Sequence, residues 1–596
     1  MGYRAPVKDQ LFILREVLDL EAYAALPGFS DAPLDVIEQL LGEGAKFCEE
    51  VLTPLNRVGD REGCVWAPDN TVKTPTGFKD AYRAMVAAGW PALSADPAFG
   101  GQGLPRVINL AYNEMCSSAN MAFSLYPGLT HGAYSAIVEG GTPEQKALYL
   151  PRLASAEWGG TMNLTEPQCG TDLGLLRTKA IPQGDGTYRI SGQKIWISSG
   201  EHDLAENIIH LVLARIEGAP EGVRGISLFI VPKFLPTADG GVGPRNEGVK
   251  CAGIEEKMGI HGSATCAMAY DEATGWLIGE ANAGLRLMFV MMNEERLGVA
   301  VQGLSIAEAA YQAAAEFARE RLQGRALTGP KNPAGPADPI IVHPDIRRML
   351  MNARAILEGG RALMLWAGLQ SDLMHLAREE SDRQKAADFM GLLTPVLKAY
   401  FTDRGFGVCS DAMQVHGGSG FTESFPVSQY LRDARISMIY EGTNGVQAMD
   451  LVGRKLGANG GRAVMGFFAE LDQFTAANAE DAALAPFVDG LKTAKAELQD
   501  ATMWLMQHGL KNPDDAGAAS TDYLHLFALT ALAWMWARIA KAANAAVAAG
   551  SADPYYAGKL LTGRYFLERV LPDAAAHLAK LKTGAASVLA LDAAAF

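Results

Sequence analysis

Paired cysteines are missing from this sequence. Its seven cysteines, Cys48, Cys64, Cys116, Cys169, Cys251, Cys266 and Cys409, form no CxxC pair and no zinc-like spacing. That pattern fits a reducing compartment and predicts neither disulfides nor a structural metal. A basic leader followed by an apolar stretch is missing too, since MGYRAPVKDQ reads as no secretory signal, and the expected location is cytoplasmic. Long apolar runs are scarce. The longest, residues 526–537, is too short to cross a bilayer and is followed by Arg538 and Lys541, so it predicts a buried helix and no stable membrane insertion. Positive charge is in deficit: the formal net charge is −15, and the stretch from Gly461 onward carries 11 basic against 14 acidic residues. This argues against binding nucleic acid. Also missing are a P-loop, an HExxH, a GxSxG elbow and a GxGxxG turn opening a βαβ unit, so nicotinamide and nucleotide-hydrolysis chemistry have no support.

What is there is enough chain for several packed domains: 596 residues, 49% apolar and 20% charged. Behind an extension of residues 1–33, apolar residues three or four apart in VIEQLLGEGAKFCEEVLTPLN and around YRAMVAAGW predict a helical domain over 34–158. Phe99-Gly-Gly-Gln-Gly-Leu-Pro105 interrupts it as a loop. The β-branched and aromatic runs TYRISGQKIWISSG, IIHLVLARI and GISLFIVPK, separated by turn residues, predict a β domain over 159–280. Helical periodicity then returns. A nearly unbroken pattern from Gly284, with further helices from about Asp345 and Gln384, predicts a four-helix bundle over 281–457. The stretch TGPKNPAGPADP reads as an exposed loop, and Gly460 and Gly461 mark the start of an additional alanine-rich helical domain over 458–596. The fold class is therefore α+β and multidomain.

Several segments carry residues suited to chemistry. They are Met162-Asn-Leu-Thr-Glu-Pro-Gln-Cys-Gly-Thr-Asp172; Gly192-Gln-Lys-Ile-Trp-Ile-Ser-Ser-Gly200; Asn293 and Arg296, three apart on the long helix; Arg319-Glu-Arg-Leu-Gln-Gly-Arg325; Asp411-Ala-Met-Gln-Val-His-Gly-Gly-Ser-Gly-Phe421; and Tyr440-Glu-Gly-Thr-Asn-Gly-Val-Gln447. An indole offers a flat apolar face, an arginine fork suits a pyrophosphate, and glycines let backbone amides meet phosphate directly. Taken singly, each has a plain structural reading: a polar turn, a core tryptophan, an ion-paired arginine, a helix start capped by Asn444. His416 reads as a polar core or surface residue.

Together, and in the order helical, β, helical, these segments resemble the acyl-CoA dehydrogenase family over nearly the whole chain. The resemblance implies FAD as cofactor, with Met162, Leu164 and Thr165 lining the isoalloxazine, Gly170 and Thr171 facing phosphates or the CoA chain, Trp196 packing on the flavin and Ser198 bonding near its reactive nitrogen. It implies that Arg321, Gln323, Gln414, Gly417 and Gly418 reach the FAD of a second subunit in a homodimer. Asn293, Arg296, Thr171 and Gly442 fall on the substrate side, and Thr443 lies near flavin or adenine. Glu441 matches the catalytic base, with Glu294 and Glu295 as the rival positions.

The implied reaction removes an α-proton from an acyl thioester while the β-hydride goes to FAD, giving a trans-2-enoyl-CoA, with an electron-transfer flavoprotein as acceptor. Burial disfavours a charged carboxylate and so strengthens it as a base. The longer layout resembles the bacterial members acting on 3-(methylthio)propanoyl-CoA; the alternative is a short- to medium- or long-chain fatty acyl-CoA. An oxidase, a DNA-associated flavoprotein and a membrane-docked enzyme are the rival classes. The helix around Asn120-Met-Ala-Phe-Ser-Leu-Tyr126 is the expected wall of the acyl pocket.

Overall fold

The β-branched runs pair into one seven-stranded sheet: β1 (Trp158–Asn163), β2 (Lys179–Pro182), β3 (Tyr188–Ser198), β4 (Asn207–Ile216), β5 (Ile226–Pro232), β6 (Val249–Ile254) and β7 (Thr265–Ile278). β7 pairs with β3 and β5, β5 with β4, β4 with β2, and β2 with β3, so five strands close a ring. β6 and β1 extend it from β7 and β4. Closure leaves few unpaired edges. β5 is buried along its whole length, which is why it reads as an unbroken apolar run and not as an alternating one.

This computed structural model describes residues 2–596. Its chain divides into two units: one of Lys46–Pro105 and Ala119–Gly298, which holds the sheet, and one of Met1–Ala45, Arg106–Ser118 and Val299–Phe596. In the sheet unit, helix α1 (Met121–Gly140) contributes Ala133, Tyr134 and Ile137 to a core shared with Trp158, Leu211, Leu228 and Ile230.

The other unit is helical. It contains most of α2 (Gly284–Glu320), with α3 (Pro344–Leu376), α4 (Glu380–His416), the short α5 (Asn444–Asp450), α6 (Pro513–Ala548) and α7 (Pro554–Arg569). α2 and α4 cross backbone to backbone: a Cβ on Gly405 would lie 2.2 Å from Gly303 O, and one on Gly303 would lie 2.6 Å from Phe401 O. The apolar run of residues 526–537 is the middle of the 36-residue α6. By length and composition that helix could cross a membrane, but 83% of its apolar window is buried, with Trp534 packed edge-on to Trp366 at 5.1 Å.

Two segments that read as peripheral are anchored by buried charge. Asp9 and Gln10 of the N-terminal extension are buried, and Asp9 joins Glu114 (2.7 Å) and Glu308 (2.8 Å) around the 2%-exposed guanidinium of Arg361. Lys559 of α7 also pairs with Asp9, which ties the N-terminal extension to a helix near the end of the chain in one network. The stretch TGPKNPAGPADP is not simply an exposed loop. Its Asp338 is fully buried and accepts the backbone amides of Ala326, Lys331 and Asn332. Burial alone would raise the Asp338 pKa, but these amides and Arg325 hold it well below the usual carboxylate range.

Candidate active site

In the sheet unit, β1 runs directly into the Thr165-Glu166-Pro167 turn, and the turn is pinned to β3. Thr165 O accepts Ile195 N at 2.9 Å, and the fully buried Lys194 donates to Leu164 O (3.0 Å) and to Glu166 Oε1 (2.8 Å). Glu166 further accepts Arg177 N, Thr178 N and the Thr178 hydroxyl. Burial pushes its pKa up, but the Lys194 ammonium and these donors outweigh burial and hold it down at about 2. Glu166 is therefore a fastening group, and the loop shape it sets leaves Met162, Leu164 and Thr165 half-buried and Gly170 and Thr171 exposed.

The same strand carries a bulge. Cys266 of β7 faces Ile197 whereas Met268 faces Lys194, so Ile195 and Trp196 together oppose only Ala267. Trp196 has φ +60° and its side chain is 61% exposed, an unfavourable state for a large aromatic residue. Ser198 is half-buried opposite Thr265, and Ser199 has φ +58°. A flat indole held outward beside a pinned loop fits a tricyclic flavin ring. Tyr126 fastens the other side of the strand register: its hydroxyl donates to Gly262 O and accepts Ala264 N at 3.0 Å. The run 256–266 thus has a structural job.

In the helical unit, Glu441 and Gly442 have φ of +57° and +83°, and Thr443 caps α5 by accepting Val446 N. Thr443 is the cap; Asn444 is the first helical residue. Gly442 must be glycine, because a Cβ there would also sit 2.8 Å from Gln447 Nε2. Three side chains hold the loop. Gln447 donates to Glu441 O at 2.8 Å, the fully buried Lys398 donates to Gly442 O (2.8 Å) and Asn444 Oδ1 (2.9 Å), and Asn444 Nδ2 donates to Asp403 Oδ1 at 2.6 Å. Tyr440, just before the base candidate, donates its hydroxyl to Gln302 of α2.

The ends of α2 and α4 meet in the same unit. The Phe317 ring stacks on His416 at 4.3 Å and lies 4.9 Å beneath the Arg321 guanidinium. Arg321 is exposed at the end of α2 that packs on His416, and Gln414, Gly417 and Gly418, next to His416 in sequence, are exposed too; a guanidinium and backbone amides free of Cβ shielding fit a diphosphate. His416 is a packing residue: its Nδ1 donates to Ala412 O, and its Nε2 is buried without a hydrogen-bond partner among the described residues. Gln323 is exposed, with its carbonyl accepting His343 Nε2 at 2.8 Å.

Other expected residues differ in their exposure. Asn293 is exposed whereas Arg296 is 6% exposed, so the pair does not share one environment. Phe123 packs edge-on against Phe78 at 5.5 Å, and Tyr126 against His202 at 5.0 Å; both are interior to their own unit. A cavity of about 1040 Å³ in the helical unit, lined by Tyr23, Trp366, Phe389, Trp534 and Arg538 among others, contains none of the expected site residues. Lys194, Glu166, Lys398, Asp403 and Gln447 were not foreseen as site residues. The available signal was a lone lysine inside an apolar stretch, GQKIW and LLTPVLKAYF.

Comparison with known proteins places these features in a family context. Residues 37–157, 161–273 and 282–456 match the acyl-CoA dehydrogenase N-terminal, middle and C-terminal domains, and residues 467–592 match an acetyl-CoA dehydrogenase C-terminal-like domain. The chain is 43% identical over 591 residues to the 3-methylmercaptopropionyl-CoA dehydrogenase of Ruegeria pomeroyi, covering 99% of each. It is 34% identical over 613 residues to the broad-specificity linear acyl-CoA dehydrogenase FadE5 of Mycobacterium tuberculosis, covering 100% of each. In fold it is similar to Caenorhabditis elegans ACDH-11 in complex with C11-CoA, with TM-score 0.78 and 19% identity over 96% of this chain and 92% of that one.

Proposed function

The chain belongs to the acyl-CoA dehydrogenase family, FAD-dependent oxidoreductases acting on CH–CH bonds, and from that premise we propose that it oxidises 3-(methylthio)propanoyl-CoA to 3-(methylthio)acryloyl-CoA with Glu441 as the base. The observation that carries the base assignment is the loop itself. Glu441 stands in a left-handed conformation, and Lys398 and Gln447 grip the carbonyls on its C-terminal side. Strain of this kind persists only where the surroundings over-determine it. Glu294 and Glu295 lie within regular helix α2, without a left-handed backbone.

FAD, when bound, supplies the hydride acceptor. The chain's residues do the rest. Trp196 offers its exposed face to the flavin ring, and Met162, Leu164 and Thr165 line the ring's edge on the loop that Lys194 pins. Arg321, Gln414, Gly417 and Gly418 receive the diphosphate half of the FAD in a partner copy, so the working assembly is a homodimer. Arg296, Asn293, Thr171 and Gly442 lie on the CoA side. Glu441 takes the α-proton, and its own backbone N–H donates to the thioester oxygen where negative charge develops. Exclusion of water by the acyl group strengthens the carboxylate as a base. Electrons leave to an electron-transfer flavoprotein, in the cytoplasm. The five-part division at residues 33, 158, 280 and 457 describes the working domains.

Likeness to the Ruegeria pomeroyi enzyme over the full length supports the methylthio substrate. Likeness to the broad-specificity FadE5 supports a second reading, in which linear acyl-CoAs are equally good substrates. A thioether sulfur replaces a methylene with little change of shape, and an apolar pocket discriminates one methylene by about 10- to 200-fold. We expect kcat/KM for 3-(methylthio)propanoyl-CoA to fall within about that range of the values for butanoyl- to hexanoyl-CoA. An optimum at long chains with the methylthio thioester inert would overturn the substrate reading and leave the dehydrogenase intact.

A further inference from the structure

The additional C-terminal segment contributes a side chain to the hydrogen-bond chain that ends at the catalytic loop. His525, on α6, lies with Nε2 3.1 Å from Asp403 Oδ2, and its side chain is 13% exposed. Asp403 Oδ1 accepts Asn444 Nδ2 at 2.6 Å, and Asn444 Oδ1 accepts Lys398 Nζ, which also holds Gly442 O. The Asn444 amide therefore lies between a carboxylate on its nitrogen side and an ammonium on its oxygen side, which fixes its orientation as no neutral pair would. Thr402 Oγ1 takes a further Asn444 Nδ2 contact at 2.9 Å.

The far end of the chain is also built. The Tyr400 ring stands edge-on to His525 at 5.5 Å, the His577 ring lies 5.2 Å away, and His577 Nδ1 is bonded to Asp522 at 2.7 Å. His525 Nδ1 is buried without a partner among the described residues, so the imidazole's one hydrogen bond with a side-chain partner is the one to Asp403.

We infer that His525 is a positioning residue for the reaction: by holding Asp403 it orients Asn444, and through Asn444 and Lys398 it sets the backbone on which Glu441 stands. Asp403 is 23% exposed, so without the imidazole its carboxylate can turn toward water and release the amide. This inference rests on Glu441 being the base. A misplacement of about 1 Å at a reacting group can slow a reaction about 100-fold, so a partial loosening at the far end of this hydrogen-bond chain is read as a smaller loss of rate with binding preserved.

The test is rapid-mixing reduction of the full-length FAD-loaded enzyme by butanoyl-CoA, with ligand binding followed separately. His525→Leu keeps the size and removes the donor; its limiting reduction rate should fall about 10-fold while substrate affinity changes less than about 3-fold. His525→Gln keeps a donor and should return to within about 3-fold of wild type. Tyr565→Phe, which removes a different bond from the C-terminal segment to α3 (2.8 Å to Asn352 Oδ1), should be unaffected. Should the leucine variant fail to fold, Asp403→Asn, which can satisfy only one of the two donors through its single oxygen, should show the same loss of rate. Glu441→Gln is run alongside. If it is inactive and the leucine variant reduces at the wild-type rate, or the glutamine variant is as slow as the leucine one, the positioning role is overturned. If Glu441→Gln itself reduces within about 10-fold of wild type, the base assignment fails first.

Discussion

Lys194 and Lys398 are both fully buried, and each fastens a loop next to a residue with left-handed backbone, yet they grip those loops differently. Lys194 meets the carboxylate of Glu166 directly and takes Leu164 O as well. Lys398 bonds Gly442 O and Asn444 Oδ1, and the same Asn444 amide donates to Asp403. The contrast matches what the proposed function asks of each loop. On that proposal the loop of Glu166 works by shape and uses its own glutamate as an anchor, whereas the loop of Glu441 keeps its glutamate for the proton and is gripped at Gly442 O, Asn444 Oδ1 and Glu441 O.

The first way to break this comparison is Lys194→Met. Removing one partner of a buried pair leaves Glu166 uncompensated, and the expected loss of stability is about 3–5 kcal/mol, visible as a lower denaturation midpoint and reduced FAD content. Lys398→Met should cost less, about 1–3 kcal/mol, because the oxygens it abandons are uncharged. A larger loss for Lys398→Met than for Lys194→Met would erase the distinction between the two loops.

The same distinction predicts a difference in acid. Glu166 has its folded-state pKa held at about 2, below the ordinary 4.5, so its stabilisation is present above about pH 4.5 and is lost as pH falls toward 2. Glu166→Gln should be less stable than wild type at pH 7 and should lose less further stability between pH 5 and pH 3. Thermal melts at a series of pH values measure this, and parallel curves for the two proteins would contradict it.

Much of this arrangement was legible in the sequence, and the losses have physical causes. β-Branched runs located the sheet, and the unbroken period of α2 located the long helix, because burial on one face imposes those periods. The strained positions Trp196 and Glu441 were legible only through motif resemblance, since backbone conformation leaves no periodic trace. Lys194 and Glu166 are 28 residues apart and Lys398 and Gly442 are 44 apart, so nothing local reveals that they meet. Charged residues default to the surface in a sequence reading, and these are the exceptions. Asn293 and Arg296 show the converse: three residues of spacing puts two side chains on one turn, but tertiary packing decides their exposure. Asp9, in an extension that reads as peripheral, is fixed by Arg361, more than 300 positions away.

The most direct test of the account is the reduction of bound FAD by acyl-CoA in Glu441→Gln, followed by rapid mixing at saturating substrate. The amide keeps the shape of the loop and cannot accept the α-proton, so the account predicts normal FAD content, near-normal ligand affinity and a reduction rate lowered by at least about 1000-fold. Reduction within about 10-fold of wild type would move the base to another residue, with Glu294 and Glu295 first in line, and would contradict the account.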